Sequence, residues 1–285
     1  MEYITLNNGV KMPLIGYGTY KVKDTEECIN CVYNAIKAGY RLIDTAQNYE
    51  NEKEVGLGIQ KAINEGIVTR DDLFITTKVW FKSYEREDCI ASLEASFEKL
   101  GLEYIDLVLL HWPFGNVYSA WRVLEEYYQK GKIRAIGVSN MTADRFIDLM
   151  YFNKCNPSVN QIETHLYCQR LENQIWMEKY NIAHQGYAPL GQARANEMFD
   201  EPIVKQIALK YHKTKAQILL RYLIQRKISI IPKTVHIERM KENIDIFDFK
   251  LTANEMEMLK SLDKDEAMIG TAQRPQRVEQ AVTWK

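Results

Sequence analysis

The sequence of 285 residues lacks the features typical of membrane, secreted and nucleic-acid-binding proteins. It has no run approaching the roughly 18 apolar residues that cross a bilayer. Its N-terminus has no basic start followed by an apolar core, so we predict no signal peptide. The formal net charge is −1, so no long-range field would recruit nucleic acid or an anionic membrane. We therefore expect a soluble cytoplasmic protein without nucleic-acid or membrane partners.

Cysteine is scarce, and its distribution argues against a disulfide framework. The five cysteines are odd in number and scattered over a long chain: Cys28, Cys31, Cys89, Cys155 and Cys168. Cys28 and Cys31 form a C-x-x-C, but they lie in a helical pattern in which positions i and i+3 share a face. Packed thiols are favoured over a redox or metal pair, because no second C-x-x-C completes a zinc site. We expect no metal.

No linker, low-complexity tract or motif repeat divides the chain, which favours a single domain over residues 1–285 with residues 265–285 as a C-terminal tail. Short apolar runs rich in β-forming residues recur along it, and amphipathic helical patterns lie between them. The predicted strands are 13–18, 42–46, 73–79, 106–112, 133–140, 158–163, 181–190 and 228–233.

Several of these runs are continuously apolar, as expected for a parallel sheet covered by helices. Eight strand–helix units in a chain of this length predict an α/β fold of the (β/α)8 TIM-barrel type. A doubly wound open sheet is the main alternative, and it usually carries G-x-G-x-x-G after its first strand. Here "GYGTYK" (16–21) lacks the third glycine. We interpret Gly16 and Gly18 as a tight turn.

Four chemically active side chains follow predicted strands at their carboxyl ends, where a barrel gathers its active site. Asp44, Lys78 and His111 end the second, third and fourth strands, and Tyr49 lies in the loop after the second. Each has an ordinary alternative role: a helix cap, a solvated charge, a core histidine or a packed ring. Gathered in one partly buried rim, however, the four groups must satisfy one another.

Together these groups suit the protonation of an oxygen that gains negative charge. A phenol with a pKa near ~10 is a poor acid at neutral pH, and an adjacent ammonium lowers that pKa. A carboxylate beside the ammonium keeps it charged, and a histidine can hydrogen-bond a substrate oxygen. Attack of hydride on a carbonyl generates such an oxygen. Because no side chain donates hydride, a nicotinamide cofactor is implied.

The chain resembles the aldo-keto reductase family over most of its length. The matching stretches are "GYRLIDTAQNYENEKEVG" (39–56), "TTKVW" (76–80), "LLHWP" (109–113), "GVSN" (137–140), "VNQIE" (159–163) and "IPKTVHIERMKEN" (231–243). The resemblance implies Tyr49 as proton donor, Lys78 and Asp44 as the pair that tunes it, and His111 as the residue that orients the carbonyl.

The resemblance also implies a cofactor site. Ser139, Asn140 and Gln161 match the residues that bind the nicotinamide carboxamide, and Tyr187 matches the tyrosine that stacks on the ring, with core packing as its alternative. The residues that match contacts to the 2′-phosphate are Lys233, Thr234 and Arg239, and those that match contacts to the adenine are Glu242 and Asn243. The residues that match other cofactor contacts are Gly18, Thr19, Leu190 and Ile231. Thr234 has an alternative role near a helix cap. The basic cluster favours NADPH over NADH.

The substrate pocket is the part that the resemblance defines least. Tyr20, Trp80 and Trp112 follow strand ends and predict an aromatic wall, although such residues are also common core material. Ala188 replaces a frequent serine, Leu166 replaces a usual proline, and the last stretch matches the family poorly. We expect a monomer that reduces varied small carbonyl compounds: aldehydes, α-dicarbonyls and ketones.

Two other functions remain open from the sequence. A metal-dependent barrel hydrolase would need a histidine cluster, whereas Glu163 and His165 alone are too few ligands. The resemblance also leaves open a regulatory protein that senses the cofactor on the same barrel with little turnover.

Overall fold

Eight parallel strands form one sheet that curves until its two edges meet. The computed structural model describes residues 1–269 and 272–284. The sheet has the order β10-β9-β8-β7-β6-β5-β4-β3. Its strands are β3 (Tyr17–Gly18), β4 (Leu42–Asp44), β5 (Phe74–Val79), β6 (Ile105–Leu110), β7 (Ile133–Ser139), β8 (Val159–Glu163), β9 (Ala183–Tyr187) and β10 (Ser229–Ile230). Each lies within or overlaps a predicted strand, so the barrel prediction is confirmed.

The barrel closes between its first and last parallel strands. The amide of Gly16 donates to Ile230 O at 2.8 Å, and the amide of Ile230 donates to Leu14 O at 2.9 Å. Gly18 belongs to the closing strand β3, and Gly16 lies just before it with its amide bonded to the last strand, so the tight-turn interpretation is wrong. Close approach explains the first glycine, because a Cβ at Gly16 would lie 2.2 Å from Leu42 Cδ2.

Helices alternate with the strands and cover the sheet. They are α1 (Thr25–Lys37), α2 (Glu52–Asn64), α3 (Arg86–Leu100), α4 (Val117–Gln129), α5 (Ala143–Tyr151), α6 (Leu171–Lys179), α7 (Ala195–Phe199), α8 (Pro202–Tyr211), α9 (Lys215–Gln225), α10 (Ile237–Ile244), α11 (Ala253–Lys260) and α12 (Pro275–Ala281). None of these is both long enough and apolar enough to cross a bilayer.

Local sequence signals account for the ends of several helices. The Asp24 side chain accepts from the Glu27 amide at the start of α1, and Gly101 ends α3 with a φ of 64°. Cys28 and Cys31 lie on the buried face of α1, in the packed position expected from their spacing. Burial raises the pKa of the Cys28 thiol to about 12, so this thiol is unreactive at neutral pH.

An N-terminal hairpin, which the sequence reading did not identify, covers the amino-terminal end of the barrel. Strands β1 (Tyr3–Thr5) and β2 (Lys11–Pro13) pair antiparallel. Leu6 and Met12 pack into a cluster with barrel side chains such as Leu107. The Asn7 amide donates to Pro157 O, just before β8, at 2.9 Å. The hairpin is therefore a floor under the barrel, opposite the end where the predicted site residues lie.

Candidate active site

The four predicted catalytic side chains meet at the carboxyl end of the barrel. Asp44 is the last residue of β4, Lys78 is the penultimate residue of β5, and His111 follows β6 directly. Tyr49 ends a short 3-10 turn, Gln47–Tyr49. Adjacent parallel strands hold these ends side by side, because Asp44 pairs with Thr76 and Lys78 pairs with Leu109.

The Lys78 ammonium is the centre of the group. Its Nζ lies 2.6 Å from Asp44 Oδ1, 2.8 Å from Thr45 O and 3.3 Å from Tyr49 Oη. An ammonium has three hydrogens, so these contacts use its donor capacity fully. Lys78 and Asp44 are both buried. The side chain is therefore held in one position between a carboxylate and a phenol.

Burial acts on both members of this pair. Desolvation lowers the pKa of Lys78 and raises that of Asp44, and the attraction between the two charges opposes both changes. A separation of 2.6 Å with a further carbonyl acceptor on the ammonium favours the ionised pair. We therefore treat Lys78 as a cation and Asp44 as an anion.

The pKa of Tyr49 differs from the sequence expectation. Burial raises this pKa well above its usual value, and the Asp44 carboxylate adds to the effect. The expected net lowering by Lys78 is not seen, because desolvation outweighs the ammonium at 3.3 Å. The phenol is thus protonated at neutral pH, and the ammonium stabilises the phenolate that forms when the proton leaves.

His111 is a neutral imidazole at the edge of this group. Burial, and then the nearby Lys78 charge, hold its pKa well below the usual value. Its ring lies edge-on to the Tyr49 ring with centroids 5.8 Å apart. Its Nδ1 is buried and has no hydrogen-bond partner among the described residues. A neutral histidine here can donate one hydrogen bond to a substrate oxygen.

The predicted carboxamide-binding residues adjoin the same pocket from β7 and β8. Gln161 Nε2 donates to Asp44 Oδ2 at 2.7 Å, which joins these residues to the Lys78 pair. Ser139 Oγ donates to Gln161 O at 2.7 Å, and Asn140 adopts a left-handed φ of 59°. Tyr187 donates from its hydroxyl to Asn140 Oδ1 at 2.7 Å. Tyr187 is thus part of this polar cluster and also packs against barrel residues.

The basic segment 231–243 runs from the closing strand into α10. Lys233 and Arg239 are exposed, and neither forms an ion pair with a described residue. Thr234 is buried, and its Oγ1 accepts from the His236 amide at 3.1 Å, which is the local role near a helix cap that the sequence left open. Glu242 accepts from Thr214 Oγ1 at 2.6 Å, and Asn243 is buried in α10.

The remaining predicted cofactor residues line the closure of the barrel or flank its rim. A Cβ at Gly18 would lie 3.0 Å from Ile231 O, so only glycine allows this approach without a shift. Thr19 is buried and donates from Oγ1 to Asp44 O at 3.0 Å. Leu190 is partly buried in the loop after β9, where Ala188 has a positive φ of 52°.

Aromatic side chains form a wall beside His111. Trp80 lies 5.3 Å from the His111 ring, centroid to centroid, and Tyr20 lies 5.0 Å from Tyr49. Trp284 from the tail stacks on Trp80 with ring centroids 6.1 Å apart, and it meets the Trp112 ring edge-on with centroids 5.0 Å apart. The sequence analysis did not predict Trp284 as a pocket residue. The available signal was a tryptophan in a tail that was expected to border the pocket. Phe81 and Phe114 were also missed, and both contact Trp284.

A buried carboxylate fixes the start of this tail. Glu163, at the end of β8, accepts from the Met268 amide at 2.6 Å and from the Ile269 amide at 3.0 Å. Among the described residues, the same carboxylate also contacts His165 Nε2 at 3.1 Å. Leu166, where a proline was expected, is buried in a turn closed by hydrogen bonds between His165 and Cys168.

Glu163 therefore serves the tail here, and no group of three or more metal-ligand side chains occurs in the described parts of the chain. Three residues of the described part of the tail, Ala272, Ala281 and Trp284, pack in one cluster with Trp112 and Phe114 of the pocket wall.

Comparisons with known proteins agree with this arrangement. The Aldo/keto reductase family matches residues 14–264. Glyoxal reductase of Bacillus subtilis is 41% identical over 266 residues, covering 93% of this chain and 94% of that protein. Among solved structures, an aldo-keto reductase from a Medee basin deep-sea metagenome library has a TM-score of 0.91 at 38% identity, covering 95% of this chain and 98% of that one. Bombyx mori aldo-keto reductase in complex with NADP has a TM-score of 0.90 at 36% identity, covering 94% and 95%.

The family match extends over nearly the whole barrel, and the related proteins share its length as well as its fold. The resemblance noted in the sequence is therefore confirmed. The chain belongs to the aldo/keto reductase family and is an oxidoreductase.

Proposed function

We propose that the protein reduces aldehydes, α-dicarbonyls and ketones to alcohols with NADPH. The observation that carries the proposal is the position of Lys78 Nζ, 2.6 Å from Asp44 and 3.3 Å from Tyr49, beside a neutral His111. The relatives support it, since one is a glyoxal reductase and another was solved with NADP.

The residues present fit a nicotinamide dinucleotide phosphate. Ser139, Asn140 and Gln161 offer both donors and acceptors to a carboxamide. Lys233 and Arg239 are exposed cations without ion-pair partners among the described residues, so both are available for a phosphate. Tyr187 lies at the rim between these groups with its hydroxyl fixed by Asn140. When bound, the cofactor would supply hydride to the carbonyl carbon.

The protein's own residues would handle the carbonyl oxygen. His111 donates a hydrogen bond that orients this oxygen, and Tyr49 gives it a proton as negative charge develops. The phenolate that remains lies 3.3 Å from the Lys78 ammonium. Asp44 keeps Lys78 charged, so the ammonium is worth more to the phenolate than to the phenol. This difference is what accelerates proton transfer.

The aromatic wall defines the class of substrate. Trp80, Trp112 and Trp284 present large apolar faces beside one neutral hydrogen-bond donor. Such a pocket holds compounds by area and shape and fixes only the carbonyl group by polar contact. We infer a broad range of small aldehydes and diketones, including glyoxals.

Turnover with a carbonyl panel tests the proposal. NADPH oxidation should be measured with glyoxal, methylglyoxal and aromatic aldehydes for the wild type and for Tyr49→Phe. General acid catalysis is worth about 10²–10⁴-fold, so kcat should fall by that factor while NADPH affinity changes little. If the wild type binds NADPH but oxidises it with none of the compounds, the regulatory alternative is favoured instead.

We also propose that the enzyme is a cytoplasmic monomer, as expected from the sequence. Light scattering should give the mass of one chain with and without NADPH. A mass of two or more chains would contradict this proposal.

A further inference from the structure

Two buried glutamines lie side by side inside the barrel, below the Lys78 pair. Gln161 on β8 and Gln185 on β9 are paired in sheet register, and neither has more than 1% of its surface exposed. Gln161 Nε2 lies 2.7 Å from Asp44 Oδ2 and 2.8 Å from Gln185 Oε1. A buried glutamine is costly unless its polar atoms are satisfied, so this contact calls for a role.

The hydrogen bonds that connect Ser229, Gln185 and Gln161 have a direction that is set at Ser229. Ser229 Oγ donates to Pro13 O at 3.0 Å, which leaves its lone pairs to accept from Gln185 Nε2 at 3.2 Å. With its nitrogen facing Ser229, Gln185 must turn Oε1 toward Gln161. The Met12 sulfur, 3.7 Å from Gln185 Nε2, accepts the second hydrogen of that nitrogen.

The same count applies to Gln161. A side-chain amide nitrogen has two hydrogens; one goes to Asp44 and the other to Gln185. Both donors of Gln161 are thereby used inside the protein, and only its Oε1 remains for a ligand.

We propose that Gln185 is a positioning residue that makes Gln161 a pure hydrogen-bond acceptor toward the cofactor. Gln161 Oε1 then accepts from the NH₂ of a nicotinamide carboxamide and offers nothing to a group that lacks this donor. The inference rests on the proposed use of NADPH, and it adds a selectivity for the carboxamide that the catalytic residues do not explain. The hydrogen bond from Gln161 to Asp44 also connects the proposed carboxamide contact to the ion pair of Lys78 and Asp44.

A cofactor analogue isolates this contact. 3-Acetylpyridine adenine dinucleotide phosphate has a methyl group where NADP⁺ has the NH₂, and it keeps the carbonyl oxygen. Kd values for both should be measured by quenching of tryptophan fluorescence, so that the result does not depend on catalysis. One net hydrogen bond is worth about 0.5–1.5 kcal/mol, so the wild type should prefer NADP⁺ by up to about tenfold.

The variant Gln185→Met keeps the length of the side chain and removes its acceptor. Without that acceptor, the Gln161 amide can swing toward the pocket and donate its second hydrogen to the carbonyl oxygen of the acetylpyridine analogue, which offers Oε1 no donor. NADP⁺ gains less, because its carboxamide NH₂ already donates to Gln161 Oε1. The preference for NADP⁺ should therefore shrink toward equal affinity for the two ligands, whereas Gln185→Glu, which retains an acceptor, should keep it. A general loosening of the fold would weaken both ligands equally and leave their ratio unchanged.

Ser229→Ala provides a second variant if Gln185→Met does not fold. It removes the acceptor that holds Gln185 Nε2, so the preference should again shrink. An unchanged preference in every folded variant that lacks either acceptor would overturn the proposal, as would a wild type that binds both ligands equally. A wild type that binds NADP⁺ not at all would instead overturn the proposed function.

Discussion

The Lys78 ammonium lies 2.6 Å from the Asp44 carboxylate, and neither side chain has more than 1% of its surface exposed. Both charges have lost their water, so each depends on the other. The pair lies between the phenol of Tyr49 and the amide of Gln161. Its loss should therefore affect stability and catalysis together.

Asp44→Asn should reduce both the stability and the catalytic rate, because Lys78 would keep a hydrogen-bond acceptor but lose its counter-charge. Removing one partner of a buried pair costs about 3–5 kcal/mol, to be measured as the free energy of unfolding in urea. The kcat for carbonyl reduction should fall as well. Glu126→Gln is the matched control, because it breaks the exposed pair with Arg86 and should leave the unfolding midpoint unchanged. Equal effects of the two variants would contradict this account.

Arg239→Ala should weaken NADPH much more than NADH. A charge-assisted hydrogen bond is worth about 1.5–3 kcal/mol, which corresponds to a Kd for NADPH about ten- to a hundred-fold higher. Fluorescence titration with both cofactors measures the difference. Lys241→Ala is the control, because Lys241 lies on the same helix but pairs with Glu238 at 3.3 Å. Equal losses for NADPH and NADH would rule out a phosphate contact by Arg239.

Trp284→Ala should raise KM for aromatic aldehydes more than for glyoxal, with a small change in kcat. Trp284 forms one face of the wall with Trp80 and Trp112, and one aromatic pair contributes about 0.5–1.5 kcal/mol beyond area burial. The expected rise in KM is therefore about two- to tenfold. Val282→Ala, at an exposed position of the same tail, should change neither constant. A uniform fall in kcat for all substrates would point to a catalytic role for Trp284.

Stability should fall as the pH drops below about 6.5, the pKa of an unperturbed histidine. Burial lowers the pKa of both His111 and His184, so these residues are protonated in the unfolded chain before the folded one. The unfolded state then binds more protons, and each such histidine contributes a slope of up to about 1.4 kcal/mol per pH unit. Urea unfolding between pH 7.5 and pH 5 measures this slope.

His184→Gln should make the slope shallower by the share of one histidine, because glutamine can still bond with Thr164 Oγ1 in place of the imidazole. His212→Asn, at an exposed position with a left-handed φ, should leave the slope as it is. If His184→Gln and the wild type lose stability in parallel, His184 is not the cause.

The barrel and the meeting of Asp44, Lys78 and His111 could be predicted because both follow from local patterns. Continuously apolar runs mark strands buried on both faces, and parallel strands carry their ends to one rim. Gly16 and Gly18 show the limit of such patterns. Their lack of side chains reflects a close approach to Leu42 and Ile231, which are distant in sequence.

The tail and the pKa of Tyr49 depended on three-dimensional quantities that no local pattern contains. Trp284 packs on Trp80, and Glu163 holds the amides of Met268 and Ile269 where the tail begins; both contacts join residues that are far apart in sequence. The direction of the Tyr49 pKa depends on how far burial outweighs one charge at 3.3 Å. Sequence indicates which groups meet, but solvent exclusion determines their protonation.

The hairpin at the amino-terminal end of the barrel affects the route by which ligands bind and dissociate. Because Leu6 and Met12 pack against the barrel at that end, we expect the carbonyl compound, the dinucleotide and the proton that restores Tyr49 to enter and leave at the carboxyl end of the strands. If two ligands share one entrance, the ligand that binds deeper must bind first and dissociate last. Gln161, the proposed contact of the nicotinamide, is buried within the strands, whereas the tryptophan wall proposed for the substrate lies at the rim. We therefore expect the dinucleotide to bind first and to dissociate last.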